Sequence, residues 1–268
     1  MEITSLGWRT DLEMLRLGGS QFEDQGDYLA VRTPHNPTFW WGNFLLLSAP
    51  PPRDDFPRWL DTFRVRFPEA AHVAMGFDGV DGQLDQLSGF TAAGMTAEVA
   101  TVMTARSTHA PARPDPDAVF RRLSSDDDWE QQVLLRFAHT SDDDDGDPAN
   151  EQFARAKTAT ARAMVEAGHG GWFGAFVGGR LVSSMGLFKA GDGLARFQSV
   201  GTLKDYRRRG LAGTLVHFVS SYGFDKLDAH TLVMIVDPTY SAIRLYRSLG
   251  FDDTERQLQV ELAPAQAT

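Results

Sequence analysis

The sequence predicts an α/β protein with a mixed sheet, and three observations lead to that class. The chain has 268 residues, of which 42% are hydrophobic and 23% charged, as in ordinary globular domains. Short apolar runs typical of strands alternate with longer segments of helical periodicity. The proline-rich stretch Ser107–Asp117 lacks periodicity and separates two halves of medium-domain size. We therefore expect domains at residues 1–106 and 118–268, joined by a linker at residues 107–117.

The elements of the second half follow one another with clear boundaries. They are predicted as a strand at Val119–Leu123, a helix from Asp126 to about Phe137 with Ser124 or Ser125 as its cap, a helix from Asn150 to near Gly168, strands at Trp172–Val177, Leu181–Leu187 and Leu194–Thr202, a helix from Gly210 to about Leu227, a strand at Leu232–Val236, a helix at Ser241–Ser248 and a strand at Gln257–Leu262. The order β-α-α-β-β-β-α-β-α-β predicts a mixed sheet.

The first half repeats part of this order. Its predicted elements are a strand at Phe39–Leu47, a helix at Phe56–Phe67, a strand at His72–Gly76, the segment Leu84–Phe90 and a strand at Ala97–Ala105. Each half places a Gly-Phe pair, at Gly89 and at Gly250, shortly before its last strand. We interpret this similarity as an internal repeat. The alternative is that helix–glycine–strand recurs by chance in any α/β chain.

Composition excludes several classes of protein. The 26 basic and 36 acidic residues give a net charge of −10, which argues against a nucleic-acid partner. The chain has no cysteine, which excludes disulfides, thiolate zinc sites and cysteine nucleophiles and fits a cytoplasmic location. The segment Met1–Leu15 has no signal-peptide pattern, and no run of about 18 apolar residues suggests a membrane span. We expect no metal, because adjacent aspartates such as Asp142–Asp145 lack EF-hand spacing.

The stretch from Val200 to Leu215 is the most informative for chemistry. A strand ends, a polar turn follows, and a helix begins on Gly210 and small residues. The first amides of a helix have no partner within it, and the helix dipole favours an anion there. Three successive arginines, Arg207 to Arg209, add donors that suit phosphate oxygens. This pattern predicts a phosphate-bearing ligand.

Two motifs give the chain a family resemblance. Arg207-x-x-Gly210-x-Ala212 matches the pyrophosphate loop, (Gln/Arg)-x-x-Gly-x-(Gly/Ala), of the GNAT superfamily of acyl-CoA-dependent N-acyltransferases. Downstream, Asp237–Phe251 is similar to the family's short helix that carries a tyrosine before Gly-Phe. The resemblance covers about Val119 to Leu262. It implies two GNAT-like domains in tandem, each a mixed, mostly antiparallel sheet flanked by helices, of which the C-terminal one is complete.

The resemblance also implies where acetyl-CoA, or another acyl-CoA, would bind as co-substrate. A strand end would give backbone groups to the pantetheine arm, loop amides would hold the pyrophosphate, and a threonine would add a hydroxyl. The residues concerned are Val200, Gly201, Thr202, Arg207, Arg208, Arg209, Gly210, Leu211, Ala212, Gly213 and Thr214. Tyr246 would contact the cofactor as general acid, because a phenol with a pKa of about 10 can protonate a departing thiolate. The chain departs from the family pattern at Lys204, where proline is common, and at Tyr240, where asparagine is common.

Acyl transfer to an amine also needs a proton acceptor, and the sequence leaves it open. His139, Gln198 and His217 are candidates, and each has the alternative of a purely structural role. The run Asp142–Asp145 has two interpretations, as an amine-attracting entrance or as a solvated loop.

The first half lacks the features of a phosphate loop. The equivalent position falls on Ser48–Asp55, where three prolines remove amide donors and two aspartates would repel an anion. We therefore predict a degenerate GNAT-like half that binds no CoA. Trp40, Trp41 and Trp59 are assigned to its core or to the seam between the halves rather than to a nucleobase stack.

The predicted function is transfer of an acetyl group from acetyl-CoA to a primary amine by direct attack in a ternary complex. The acceptor is a small molecule or a peptide, and the chain is expected to be a monomer or a weak dimer. An inactive acyl-CoA-binding sensor or scaffold is the alternative. A nucleotide-binding module of another α/β fold is disfavoured, because no dinucleotide glycine fingerprint is present.

Overall fold

The computed structural model describes the backbone of residues 1–140 and 148–264 and the side chains of these residues except 139, 140, 148 and 149. The acidic run Asp142–Asp145 and the His139 side chain therefore lie outside the described residues. The chain divides into two compact units, each made of separate segments. The first contains Met1–Met103, Ile235–Tyr240 and the chain from Asp253 onward, and the second contains Thr104–Met234 and Ser241–Asp252.

Eleven strands and seven helices are present in the described residues. In chain order they are α1 (Leu6–Leu17), β1 (Gln21–Asp24), β2 (Tyr28–Arg32), β3 (Phe44–Leu47), α2 (Phe56–Arg66), β4 (Val73–Phe77), α3 (Ser88–Ala92), β5 (Thr96–Ala105), β6 (Ala118–Arg122), α4 (Asp126–Thr140), α5 (Pro148–Glu166), β7 (Gly170–Val177), β8 (Arg180–Lys189), β9 (Leu194–Thr202), α6 (Leu211–Lys226), β10 (Thr231–Val236), α7 (Ala242–Ser248) and β11 (Asp252–Leu262). The predicted α/β class with mixed sheets is confirmed.

In the first unit the strand order is β1-β2-β3-β4-β11-β5. Strands β3 and β4 run parallel, whereas β1 with β2, β2 with β3, and β4 with β11 are antiparallel. The sequence analysis did not find α1, β1 or β2. It also extended β3 back to Phe39, where the structure has a short 3-10 turn at Trp40–Gly42.

The last strand, β11, which the sequence analysis placed in the second half, lies in the first unit. It pairs with β4 in the first unit, with Leu258 opposite Phe77 and Val260 opposite Met75. Both residues are buried in the core of that unit. They lie on the same face of the strand because they are two positions apart. Glu255 accepts hydrogen bonds from the first amides of α1, at 3.0 and 3.1 Å. The strand therefore completes the sheet of the first unit and caps its first helix.

In the second unit the strand order is β10-β9-β8-β7-β6, antiparallel throughout except for the parallel pair of β9 and β10. Trp172 on β7 packs against Trp129 of α4. The next residue, Phe173, packs against Phe218 and Tyr222 of α6. Because successive strand residues face opposite sides, α4 and α6 cover opposite faces of this sheet.

The start of α4 is fixed by a buried carboxylate. Ser125, one of the two predicted caps, accepts a hydrogen bond from Asp128 N at 3.1 Å. In return, Asp128 accepts bonds from the amides of Ser124 and Ser125, at 2.8 and 3.2 Å. Arg121 binds the same carboxylate with two bonds of 2.7 Å. The Arg121 guanidinium and the two amides hold the pKa of Asp128 far below its usual range.

Candidate active site

Strand β9 loses its partner β10 halfway along its length. The two strands pair only over Leu194–Arg196 and Thr231–Val233, although β9 continues to Thr202. On its other edge, β9 stays paired with β8 as far as Thr202. Among the described residues, β10 therefore leaves one edge of residues 197–202 unpaired. Such an edge presents main-chain amides and carbonyls to an extended ligand, as a sheet edge does to an added strand.

A bulge in β9 lies in this same stretch. The β8–β9 register shifts between Ser184 and Gly186, and Ser199 has a φ of 51°. The extra residue bends the strand locally. Ser183 Oγ donates to Gly201 O at 2.8 Å and lies 2.8 Å from Thr202 Oγ1, which fixes the end of the strand. The predicted pantetheine residues Val200, Gly201 and Thr202 thus lie on a distorted strand whose end is anchored from β8.

A tight loop connects β9 to α6. It contains a 3-10 turn at Lys204–Tyr206 and then two left-handed residues, Arg208 with a φ of 65° and Gly210 with a φ of 82°. Gly210 occupies the N-cap position of α6. Glycine adopts this conformation at no steric cost, whereas an arginine there is strained. The loop therefore turns the chain sharply into the helix.

The first turn of α6 presents free amide donors. The first main-chain acceptor for the helix is Gly210 O, which bonds Thr214 N at 3.0 Å. In the described part of the chain, no acceptor pairs with the amides of Leu211, Ala212 and Gly213, as is general for the start of a helix. By contrast, the Arg207 amide donates to Lys204 O at 3.2 Å. The Thr214 hydroxyl donates to Gly210 O at 3.0 Å, so its proton is engaged within the loop.

The three arginines of the loop differ in their contacts. Arg207 Nε donates to Thr202 O at 3.2 Å. Arg209 Nε donates to Asp115 Oδ2 at 2.8 Å, in an ion pair whose carboxylate is buried. No ion pair engages Arg208 among the described residues, and its side chain is exposed. The charge of Arg209 is therefore already balanced by the protein itself, unlike that of Arg208.

A small cavity opens beside the loop. It measures about 220 Å³ and is lined mainly by Leu203–Arg207, together with Ala138 and Arg180. The Arg180 and Arg209 guanidinium groups lie 5.9 and 5.3 Å from the ring centre of Tyr206. Basic side chains outnumber acidic ones in this wall, so the lining of the cavity carries a net positive charge.

Tyr246 is buried in α7, with 5% of its surface exposed. Its ring packs edge-on against Phe251 at 6.4 Å, and Phe251 packs in the same way against Phe197 at 6.0 Å. Phe197 is the first residue of β9 beyond its pairing with β10. This row of rings connects the predicted general acid to the start of the unpaired edge.

The proposed linker residues lie against this site, within the second unit. His109 N donates to Leu249 O at 2.9 Å, and Thr108 Oγ1 lies 3.1 Å from His217 Nδ1. His217 is therefore held by this segment two turns into α6. Gln198, the other candidate base with a described side chain, is partly buried on β9. The positions of His217 and Gln198 do not identify either residue as the general base.

The sequence analysis missed a cation at the bulge and a second cation that interacts with it. Arg136 of α4 donates to Ser199 Oγ at 3.3 Å. Burial lowers the pKa of Arg136 to about 10. Burial and then the charge of Arg136 lower the pKa of Lys157 on α5 to about 8. No sequence motif marks them, because their neighbourhood arises only when the two helices pack on the sheet.

Two further searches of the described residues concern metals and membranes. No group of three or more histidine, aspartate or glutamate residues is placed to hold a metal ion. None of the described helices is long and apolar enough to cross a membrane.

A comparison of the sequence with known families matches the part of the chain that contains this site. The sequence model of the Acetyltransferase (GNAT) family matches residues 134–251, which include β9, the loop, α6 and Tyr246. No curated protein matches the chain in sequence.

Solved structures share the fold over nearly the whole chain. A GCN5-related N-acetyltransferase from Kribbella flavida has a TM-score of 0.64 at 16% identity, covering 97% of each chain. A functionally unknown conserved protein from Staphylococcus epidermidis reaches 0.71 at 11% identity, covering 91% of this chain and 93% of that one. A tandem GNAT protein from the clavulanic acid biosynthesis pathway reaches 0.57 at 12% identity, covering 98% and 97%. At these identities the similarity shows the fold alone. The family itself is matched by the sequence of residues 134–251, which lie in the second half of the chain and carry the GNAT-family domain.

Proposed function

We propose that the protein is an N-acetyltransferase that moves an acetyl group from acetyl-CoA to a primary amine by direct attack in a ternary complex. The observation that carries this proposal is the combination, in one unit, of an unpaired β9 edge with the unpaired amides that begin α6. GNAT proteins use acetyl-CoA in general. The β9 edge offers main-chain partners for the amide-bearing pantetheine arm, and the start of α6 offers donors for the phosphates.

The residues present fit an acyl-CoA at some predicted positions better than at others. The amides of Leu211, Ala212 and Gly213 would hold the pyrophosphate, and β9 from Phe197 to Thr202 would hold the pantetheine arm. Arg208, which is exposed, would add positive charge. The main-chain amide of Arg207 and the hydroxyl of Thr214 already donate hydrogen bonds inside the loop. These two groups therefore shape the loop more than they serve as donors to the ligand.

Tyr246 is the proposed general acid. When bound, the thioester supplies an activated acyl group, and its sulfur needs a proton as the thiolate departs. A phenol with an ordinary pKa of about 10 carries that proton at neutral pH. The burial of Tyr246 would keep the proton away from bulk water. The chain has no cysteine for a covalent acyl intermediate, which supports direct transfer to the amine.

A screen for acceptors tests the proposal. Purified protein is incubated with acetyl-CoA and a library of amines, and release of free CoA thiol is measured. The library includes amines with and without a carboxylate, because Arg136 brings positive charge to Ser199. We expect CoA release that depends on both an amine and the protein. Tight acetyl-CoA binding without turnover on any amine would instead support the sensor or scaffold.

A further inference from the structure

The segment Ser107–Asp117, predicted as a linker, is packed along the second unit. Ser107 O would lie 3.1 Å from a Cβ placed on Gly250, and Pro111 Cβ would lie 3.6 Å from one on Gly213. A Cβ on Gly210 would collide with the carbonyl oxygen of Arg113. Three glycines, one just before α6, one within it and one just after α7, therefore accommodate this segment, which runs from the end of α7 to the start of α6.

Asp115 is the charged anchor of the segment. It is 8% exposed, although its neighbours Pro114 and Pro116 are exposed. Its Oδ2 accepts from Arg209 at 2.8 Å and its Oδ1 accepts from the amide of Asp117 at 3.0 Å. The Asp117 amide, followed by Arg209, lowers the pKa of Asp115 below its usual value. The carboxylate is thus charged and bonded through both oxygens.

The backbone of the loop between β9 and α6 requires a contact that holds Arg209 in place. Arg208 and Gly210, on either side of Arg209, both have left-handed backbones, and a non-glycine residue in that region persists only when its surroundings hold it. Arg209 is held by Asp115 on one side and lies over the Tyr206 ring, 5.3 Å from its centre. Its guanidinium therefore fixes the backbone between the two left-handed residues.

We propose that Asp115 is a positioning residue for the loop between β9 and α6. In this proposal Arg209 holds the loop in place by its ion pair with Asp115 and does not bind phosphate. The segment 107–117 is then a fixed wall of the acyl-CoA site. It shapes the loop so that the amides of Leu211 to Gly213 face the pyrophosphate. This inference rests on the proposed function, because it assigns the segment a role at that same site.

A double-mutant cycle tests the pair. The variants are Asp115→Asn, Arg209→Met and the double variant, with Asp117→Asn as a control that removes a charge from the same segment without touching the ion pair. Calorimetry gives the affinity for CoA, and steady-state kinetics give KM for acetyl-CoA and kcat. Thermal unfolding checks that each variant is folded. We add Arg209→Lys as the conservative variant, because it keeps the charge and one donor to Asp115.

The expected result is a non-additive cycle. Each single variant weakens CoA binding and raises KM by about tenfold, and the double variant is no weaker than either single one, because both remove one shared interaction. The value of kcat at saturating acetyl-CoA stays within about twofold, Asp117→Asn binds as the wild type does, and Arg209→Lys recovers part of the loss.

Other outcomes would overturn the inference. Additive losses would show that Arg209 contacts phosphate directly, and tighter binding by Asp115→Asn would show that the carboxylate competes with the cofactor. Either result leaves the proposed function intact. If the wild type itself takes up no CoA, the proposed function fails and this inference fails with it.

Discussion

The two halves build the same parallel strand pair and complete it differently. In the first unit, β3 pairs with β4 as far as its last residue, Leu47, which lies opposite Phe77. The pairing is extended by Asp78 N, which donates to Leu47 O at 2.8 Å. In the second unit, the pairing of β9 with β10 stops at Arg196, six residues before β9 ends. The first unit thus has a closed strand edge where the second has an open one.

The connections that follow these strands differ as well. In the first unit, β3 is followed by three prolines and then by a helix, α2, with no left-handed glycine at its start. In the second, the left-handed Gly210 begins α6 and leaves its first amides unpaired. Repeated element order therefore does not imply a repeated site. The site depends on where strand pairing ends and on which residues begin the next helix.

The largest expected effect comes from a side chain at Gly210. Gly210→Ala forces a methyl group against Arg113 O at a φ of 82°, so we expect no detectable CoA binding by calorimetry. Gly94→Ala is the matched control, because Gly94 has a φ of 87° and nothing within 4 Å of its Cβ position. It adds the same backbone strain without the collision. Equal CoA affinity in the two variants would remove the special role of the second-unit loop.

The next effect concerns Tyr246, which has no tyrosine counterpart in α3 of the first unit. Tyr246→Phe should lower kcat by about 100-fold while changing CoA affinity little, because it removes one proton donor and keeps the ring. Tyr240→Phe, at a tyrosine that is 53% exposed, is the control and should turn over normally. An unchanged kcat in Tyr246→Phe would exclude it as the general acid.

A third variant tests to which unit β11 belongs. Leu258→Ala removes a side chain that is 2% exposed in the core of the first unit, and should lower the free energy of unfolding by about 3 kcal/mol. Leu262→Ala, at a residue 36% exposed, should cost much less. Hydrogen exchange should report the loss in β3 and β4 of the first unit. Loss of protection confined to β7 and β8 would contradict the strand's assignment.

The smallest effect is at the start of α4, away from the site. Asp128→Asn should lower the free energy of unfolding by about 2 kcal/mol at pH 7, because Arg121 and two amides bond the carboxylate. Folding lowers the pKa of Asp128, so its stabilisation is complete above the unfolded value of about 3.9 and is lost as pH falls below it. Urea unfolding of both proteins should therefore show a gap that narrows below pH 4. A gap that widens in acid would contradict this.

Sequence reasoning predicted the local features well. The helix that begins after Gly210 and the bounds of β9 follow from residue patterns within a few positions. Long-range features could not be predicted this way. Pairing of β11 with β4 joins residues far apart in the chain, and burial of Asp115 against Arg209 depends on the path of a segment without periodicity. The degenerate character of the first half and the predicted domain boundaries stay predictions.

Hydrogen exchange of the full chain with and without acetyl-CoA tests the central claim most directly, because it reads both halves in one experiment. We predict that acetyl-CoA protects residues 197–215, the open β9 edge and the start of α6, and leaves residues 44–60 of the first unit unchanged. Protection of residues 44–60, or no protection at residues 197–215, would contradict a single cofactor site in the second half.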